Sequence, residues 1–272
     1  MNRTLRSDPA RTRRSRRIGA LGTSLLLTAA LGSALVACGS DSKSSTPTTG
    51  AGGGHATTVS AEACTGFAEL SALTFQMPEE PSDMAAFLEE EMVPVVTTVV
   101  EGLPHEAMGA GETVLDAYTE AATTGNPEPV MAPEVMAAQA EIGQALFDGC
   151  DGNRLDIAGV DYAFEGLPDE IPAGHTTIAF TDEGNEEHEI MIVKLADGED
   201  LTLDELLDLP EEEVFSKVQP VAVTWGAPGE TGYTAMDLEP GTYFALCNIP
   251  IGGGEQGAPH HTAGMKQTFV VS

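Results

Sequence analysis

Basic residues are scarce in this 272-residue chain: 12 Lys and Arg stand against 43 Asp and Glu, for a formal net charge of −31. Seven of the twelve, all arginines, lie before position 18, so beyond residue 37 five basic residues face 42 acidic ones, a balance near −37. Such a surface repels phosphate backbones, which excludes nucleic acid as a partner. The acidity either steers cations and cationic partners or serves solubility in a salty medium, and its spread along the whole chain suits solubility. The marks of common enzyme classes are missing as well. There is no Gly-x-Ser-x-Gly elbow, no phosphate-binding Gly-Lys-Ser/Thr loop and no His-Glu-x-x-His helix. The many carboxylates show no pairing distinct from a solvated surface, so no enzymatic activity is expected. Cysteine is sparse too, with four at positions 38, 64, 150 and 247.

What the N-terminus does have is a targeting pattern. The seven arginines precede an apolar run, Ile18 to Ala37, that ends in Leu35-Val36-Ala37-Cys38-Gly39. Residues 1–37 resemble the signal peptide of a bacterial lipoprotein, with a basic region, an apolar core and a Leu-Val-Ala-Cys lipobox. The resemblance implies that Cys38 becomes the first mature residue, carries thioether-linked lipid, and ties the chain to the extracytoplasmic face of the cell membrane. A plain transmembrane anchor is the alternative, although the run is rich in Gly, Ser, Thr and Ala. Ser15-Arg16-Arg17 resembles a twin-arginine export signal in part, with Gly19 and Ala20 replacing the usual bulky residues. Residues 38–58, almost all Gly, Ser, Thr and Ala, read as a flexible tether with a reach of roughly 25 Å. His55 in that tether reads as solvated.

Residues 59–152 carry helical periodicity. Ser60 is an N-cap for a helix whose inward stripe is Ala63, Phe67, Leu70 and Met77. Pro81-Ser82 opens a second, with Met84, Phe87, Leu88, Val95, Val96 and Val99 inward, kinked or restarted at Pro94. A third carries Val114, Leu115, Tyr118 and Ala122 before Gly125-Asn126-Pro127. The fourth begins at Pro133 and runs through Val135, Ile142 and Leu146 to Gly149. Four helices with short connections predict a small antiparallel bundle. In that arrangement Cys64 and Cys150 fall at the same end, which predicts a disulfide between them. With Cys38 assigned to lipid, Cys247 is left as an odd thiol that needs an explanation.

Residues 153–272 change character. Segments 155–157, 160–164, 177–180, 189–193, 221–225, 233–238, 243–246 and 267–271 read as short strands between Gly, Pro and Asp turns, a β-sandwich pattern. The acidic stretch 197–217, with Leu203, Leu206, Leu207 and Leu209, reads as an amphipathic helical insertion at one edge.

Four residues in the strand-rich region have metal-ligand chemistry. His188 stands at a strand start after Gly184-Asn185-Glu186-Glu187, Cys247 closes Gly-Thr-Tyr-Phe-Ala-Leu-Cys, and Pro259-His260-His261-Thr262-Ala263-Gly264-Met265 leads into the last strand. One thiolate, two imidazoles and a thioether suit copper cycling between two oxidation states. In this order the segments resemble the three ligand segments of the plastocyanin branch of the cupredoxins. The resemblance implies an α+β chain in which the helical bundle is followed by an all-β Greek-key cupredoxin-like sandwich. It also implies one mononuclear type 1-like copper ion held by His188, Cys247, His260 and the weak axial Met265.

Two features depart from that pattern. Twelve residues, Asn248 to Pro259, separate the cysteine from the second histidine. Lengthening such a loop from two residues to twelve costs only about 1.6 kcal/mol, small beside a metal–thiolate bond. Glu189 stands where the family has a smaller amide or carboxylate that pins the ligand loop, so that hydrogen bond is expected to be lost. His261 is the substitute ligand if the loop register differs, while His105 and His175 read as solvated or structural. Two functions follow: a lipid-anchored electron carrier or copper-holding protein, with a redox protein as partner, or a metal-free binding module whose Cys247 and Met265 are ordinary core.

Overall fold

The computed structural model describes residues 58–78, 80–254 and 257–272. The signal-peptide, Cys38 and His55 readings lie outside them. No helix among the described residues is long and apolar enough to cross a membrane.

Helix α1 (Ala61–Leu73) starts where the sequence places a cap: Ser60 Oγ accepts from the Ala63 N–H at 3.1 Å. Its stripe ends early. Beyond Leu73 the chain turns through a 3₁₀ segment, and Met77, expected inward, is 46% exposed because it lies past the helix. The second expected helix is two, α2 (Pro81–Phe87) and α3 (Val93–Glu101), joined by a π-helical turn at Leu88–Met92. Pro94 sits in the first turn of α3, where its missing N–H costs least. Helix α4 (Met108–Thr124) stops at Gly125, whose φ of 67° is the left-handed cap that glycine adopts without strain. Helix α5 runs from Pro133 to Gly149. α3 packs on α1 and α4, and α4 on α5. Val96, Val99, Val100, Leu103, Val114, Ile142 and Leu146 form their common core. Cys64 and Cys150, 86 residues apart, are joined by a disulfide.

Nine strands among the described residues make two sheets: β1 (Asn153–Val160), β2 (Ala163–Glu165), β3 (Glu170–Ile171), β4 (Gly174–Asp182), β5 (His188–Leu195), β6 (Val218–Gly226), β7 (Thr231–Leu238), β8 (Gly241–Leu246) and β9 (Lys266–Val271). The orders are β2-β1-β4-β7 and β3-β9-β8-β5-β6. The sandwich is mixed, since β1 pairs with β4, and β3 with β9, in parallel. The strand expected at 160–164 is broken at Asp161-Tyr162, where β1 turns into the short edge strand β2, and the two residues of β3 are too few to carry a periodicity in the sequence. Ile157, Ile178, Phe180, Ile190, Ile192, Tyr243 and Phe269 fill the space between the sheets.

The insertion forms two short helices, α6 (Leu203–Leu207) and α7 (Glu211–Lys217), divided at Pro210. Leu203 and Leu206 pack on Val193, Leu195, Phe244 and Leu246, covering the outer side of the five-stranded sheet. The helical layer lies on β7. A Cβ at Gly143 of α5 would stand 2.6 Å from Tyr233 Cβ, so only glycine permits that approach. Tyr233 donates to Gln144 Oε1 at 2.8 Å, and Ser71 and Thr234 share a hydroxyl contact at 2.9 Å.

Candidate metal centre

One end of the sandwich gathers three segments that are distant in sequence. β5 begins at His188, β8 ends just before Cys247, and a four-residue helix, α8 (His260–Ala263), precedes Met265 and β9. Backbone hydrogen bonds lace them together. Cys247 N–H donates to Met265 O at 3.1 Å, Met265 N–H to His260 O at 3.2 Å, and His261 N–H to Cys247 O at 2.9 Å.

The twelve-residue loop does not push His260 away, because it closes on itself as a hairpin. Pro250 bridges Pro259, Ile251 N–H donates to Ala258 O at 2.9 Å, and His260 N–H to Ile249 O at 2.9 Å. Gly252 has a φ of 78°, and its N–H reaches Glu186 Oε2 at 2.5 Å. The two ends of the loop thus stay adjacent.

His188, Cys247, His260 and Met265 are all 0% exposed. His260 Nδ1 lies 3.0 Å from His188 Nδ1 and 3.4 Å from Cys247 Sγ. The donor atoms of all three lie within 4.8 Å of one another. A first-row ion with metal–nitrogen bonds near 2.0–2.1 Å and metal–sulfur bonds near 2.3 Å holds neighbouring donors about 3–3.5 Å apart. The separations fit one ion. Met265 belongs to the same core, its methyl end close to Gly159 of β1, where a Cβ would come within 3.2 Å of Met265 Cε. His261, the substitute ligand, is outside the cluster.

The hydrogen bonds behind the imidazoles decide which way their lone pairs face. His188 Nε2 is 2.9 Å from Asp161 Oδ1, and His260 Nε2 is 3.3 Å from Glu186 Oε2. A carboxylate accepts only, so each ring places its N–H on Nε2 and its lone pair on Nδ1. Two buried lone pairs then face each other across 3.0 Å beside a sulfur with one proton to give. That arrangement is repulsive without a cation and is the usual support of metal-ligating histidines.

The carboxylates are held charged. Asp161 is lowered to about 2, first by the Asn185 side-chain amide and then by His188, and Glu186 is lowered chiefly by the Gly252 N–H. Burial pushes the Cys247 thiol up to about 11, opposed by the N–H groups of Glu189 and Ile249. A thiolate here needs a neighbouring cation, which reverses the local balance. Tyr162 roofs the site, with its ring 4.8 Å from that of His260 and its hydroxyl donating to Glu186 Oε1 at 3.1 Å.

Glu189 corrects an expectation. The hydrogen bond expected to be lost is made, because the longer side chain reaches across: Glu189 Oε1 accepts from Asn248 N at 2.9 Å and Asn248 Nδ2 at 3.1 Å. Glu189 N–H also points at Cys247 Sγ, 3.4 Å away. Asp161, Tyr162, Asn185 and Glu186 were not singled out from the sequence. Glu186 stands two residues before His188 in the same turn, a local signal, whereas Asp161 lies 27 residues away with no spacing signal.

Taken by its chemistry, two imidazole nitrogens and a thiolate with a thioether in the adjacent core fit one type 1-like copper ion. No protein-family model matches the chain, and no curated protein matches it. Solved structures similar to it include dithionite-reduced auracyanin from the photosynthetic bacterium Roseiflexus castenholzii, at 24% identity and a TM-score of 0.31, covering 44% of this chain and 99% of that one. Rusticyanin from Thiobacillus ferrooxidans is similar at 18% identity over 45% of this chain and 79% of its own, with a TM-score of 0.29. A purple cupredoxin from Nitrosopumilus maritimus is similar at 16% identity over 43% and 99%, with a TM-score of 0.27.

Proposed function

We propose that this chain is a lipid-anchored, extracytoplasmic protein whose cupredoxin-like sandwich holds one copper ion through His188, Cys247, His260 and Met265 for electron transfer to and from a redox protein. The observation that carries the reading is the convergence of two buried Nδ1 lone pairs and the Cys247 sulfur, with both Nε2 atoms committed to carboxylates. When bound, copper in such a set exchanges single electrons. The residues supply the rest. Asp161 and Glu186 fix the tautomers, and Glu189 pins the segment after Cys247, whose sulfur is fully buried.

Burial of every donor leaves substrate no route to an open coordination position, which favours an electron carrier over an enzyme. The anchor rests on the Leu-Val-Ala-Cys38 pattern. The test is the visible spectrum of the copper-loaded chain. An intense sulfur-to-copper band is expected, absent in Cys247→Ser and kept, with a shifted potential, in Met265→Leu. A chain that takes up no copper, or one whose copper spectrum survives Cys247→Ser, would return the sandwich to a metal-free binding module.

A further inference from the structure

A second group of metal-ligating side chains lies where the helices meet the sandwich. The sulfurs of Cys64 in α1 and of Cys150 just after α5, and a ring nitrogen of His175 in β4, lie within 4.8 Å of one another. His175 is paired in register with Asp237 of β7, and its Nδ1 is 3.0 Å from Asp237 Oδ1. That carboxylate takes the Nδ1 proton as a hydrogen bond and leaves the lone pair on Nε2. Nε2 is buried and has no hydrogen-bond partner. A buried acceptor without a donor is costly, and such groups call for an explanation.

The two sulfurs supply one. Joined as a disulfide they offer His175 neither a proton nor a strong donor atom. Separated as thiolates, they and Nε2 make a compact two-sulfur, one-nitrogen set, soft enough for a closed-shell monovalent ion. The carboxylate behind the imidazole repeats the arrangement of Asp161 behind His188. The three ligands also come from three separate elements, so an ion there would tie α1 and α5 to β4 as the disulfide ties the two helices.

We propose that Cys64, Cys150 and His175 form a redox-gated site for one copper(I) ion, closed while the disulfide is intact and opened by a dithiol reductant. The reductant supplies two electrons and two protons, the Cys64–Cys150 bond breaks, and the reductant leaves as its own disulfide. Copper(I) then displaces the two thiol protons to water and is held by both sulfurs and by His175 Nε2.

The test uses the full chain carrying Cys247→Ser, so that the first centre lacks its thiolate. Copper(I) is offered anaerobically as its complex with a coloured chelator, before and after reduction with a dithiol. The expected result is one equivalent transferred to the reduced chain and none to the oxidised chain. His175→Gln should release the ion, and Asp237→Asn should weaken binding about ten- to a hundred-fold. Transfer that does not depend on reduction, no transfer after reduction, or affinity unchanged in both His175→Gln and Asp237→Asn overturns the proposal. If reduction melts the helices, seen by circular dichroism, copper(I) should restore them, and helices that stay melted with the ion present overturn it too. The colour of the first centre in the unsubstituted oxidised chain is unaffected by any of these results, so the two proposals stand or fall separately.

Discussion

Replacing Asp161 by alanine isolates the step that turns His188 into a ligand. Asp161 Oδ1 lies 2.9 Å from His188 Nε2, and its two oxygens lie 3.1 and 3.2 Å from the Asn185 backbone nitrogen. Oδ2 also lies 2.6 Å from Asn185 Nδ2. Every one of these neighbours donates, which is why the carboxyl is held down at about 2. Alanine removes the acceptor from all of them at once. The imidazole is then free to carry its proton on Nδ1, where it blocks the lone pair that faces His260 and Cys247. Loss of such an orienting partner lowers metal affinity about ten- to a hundred-fold, or about 1.4–2.7 kcal/mol. Asp161→Asn should fall between the two. Its oxygen can still accept from His188 once the Asn185 amide turns over, but the charge is gone. The assay is a graded chelator competition followed at the visible band, whose position should hold because the donor atoms are unchanged. An Asp161→Ala chain that keeps its copper against chelator as tightly as the parent would refute the assignment of the His188 lone pair to Nδ1 by Asp161.

Removing the Cys64–Cys150 disulfide as a double alanine variant should destabilise the chain by about 4–5 kcal/mol, since the bridge closes a loop 86 residues long. The corresponding fall in Tm, on the order of 10–20 °C, is checked by calorimetry, and a fall of only a degree or two would show that the helices hold that end together without it. At the other end of the chain, Cys38→Ala should move the protein from the membrane fraction to the soluble one and abolish the lipid mass on the mature N-terminus. Retention in the membrane fraction with an unchanged N-terminal mass would count against the anchor.

Much was legible along the chain because it depends on local or periodic signals. The caps Ser60 and Gly125 and the first-turn Pro133 place helix ends correctly, since each satisfies or spares backbone groups within one turn. The apolar segments 189–193 and 243–246 place β5 and β8, whose Ile190, Ile192, Tyr243 and Ala245 share one core. The candidate donors His188, Cys247, His260 and Met265 were visible as residue types in a particular order.

What only the tertiary structure decided is everything that joins distant segments without leaving a spacing behind. Met77 is exposed because its helix ends at Leu73, a matter of where the next helix packs. The parallel pairings β1–β4 and β3–β9 are choices of neighbour that no strand pattern encodes. The hairpin that brings His260 back to Cys247 depends on backbone bonds across the loop rather than on its length. Above all, the lone pairs of His188 and His260 are aimed by Asp161 and Glu186, and that of His175 by Asp237. A carboxylate in an acidic chain looks like any other in sequence, since hydrogen bonds act over about 3 Å in space and carry no period along the chain.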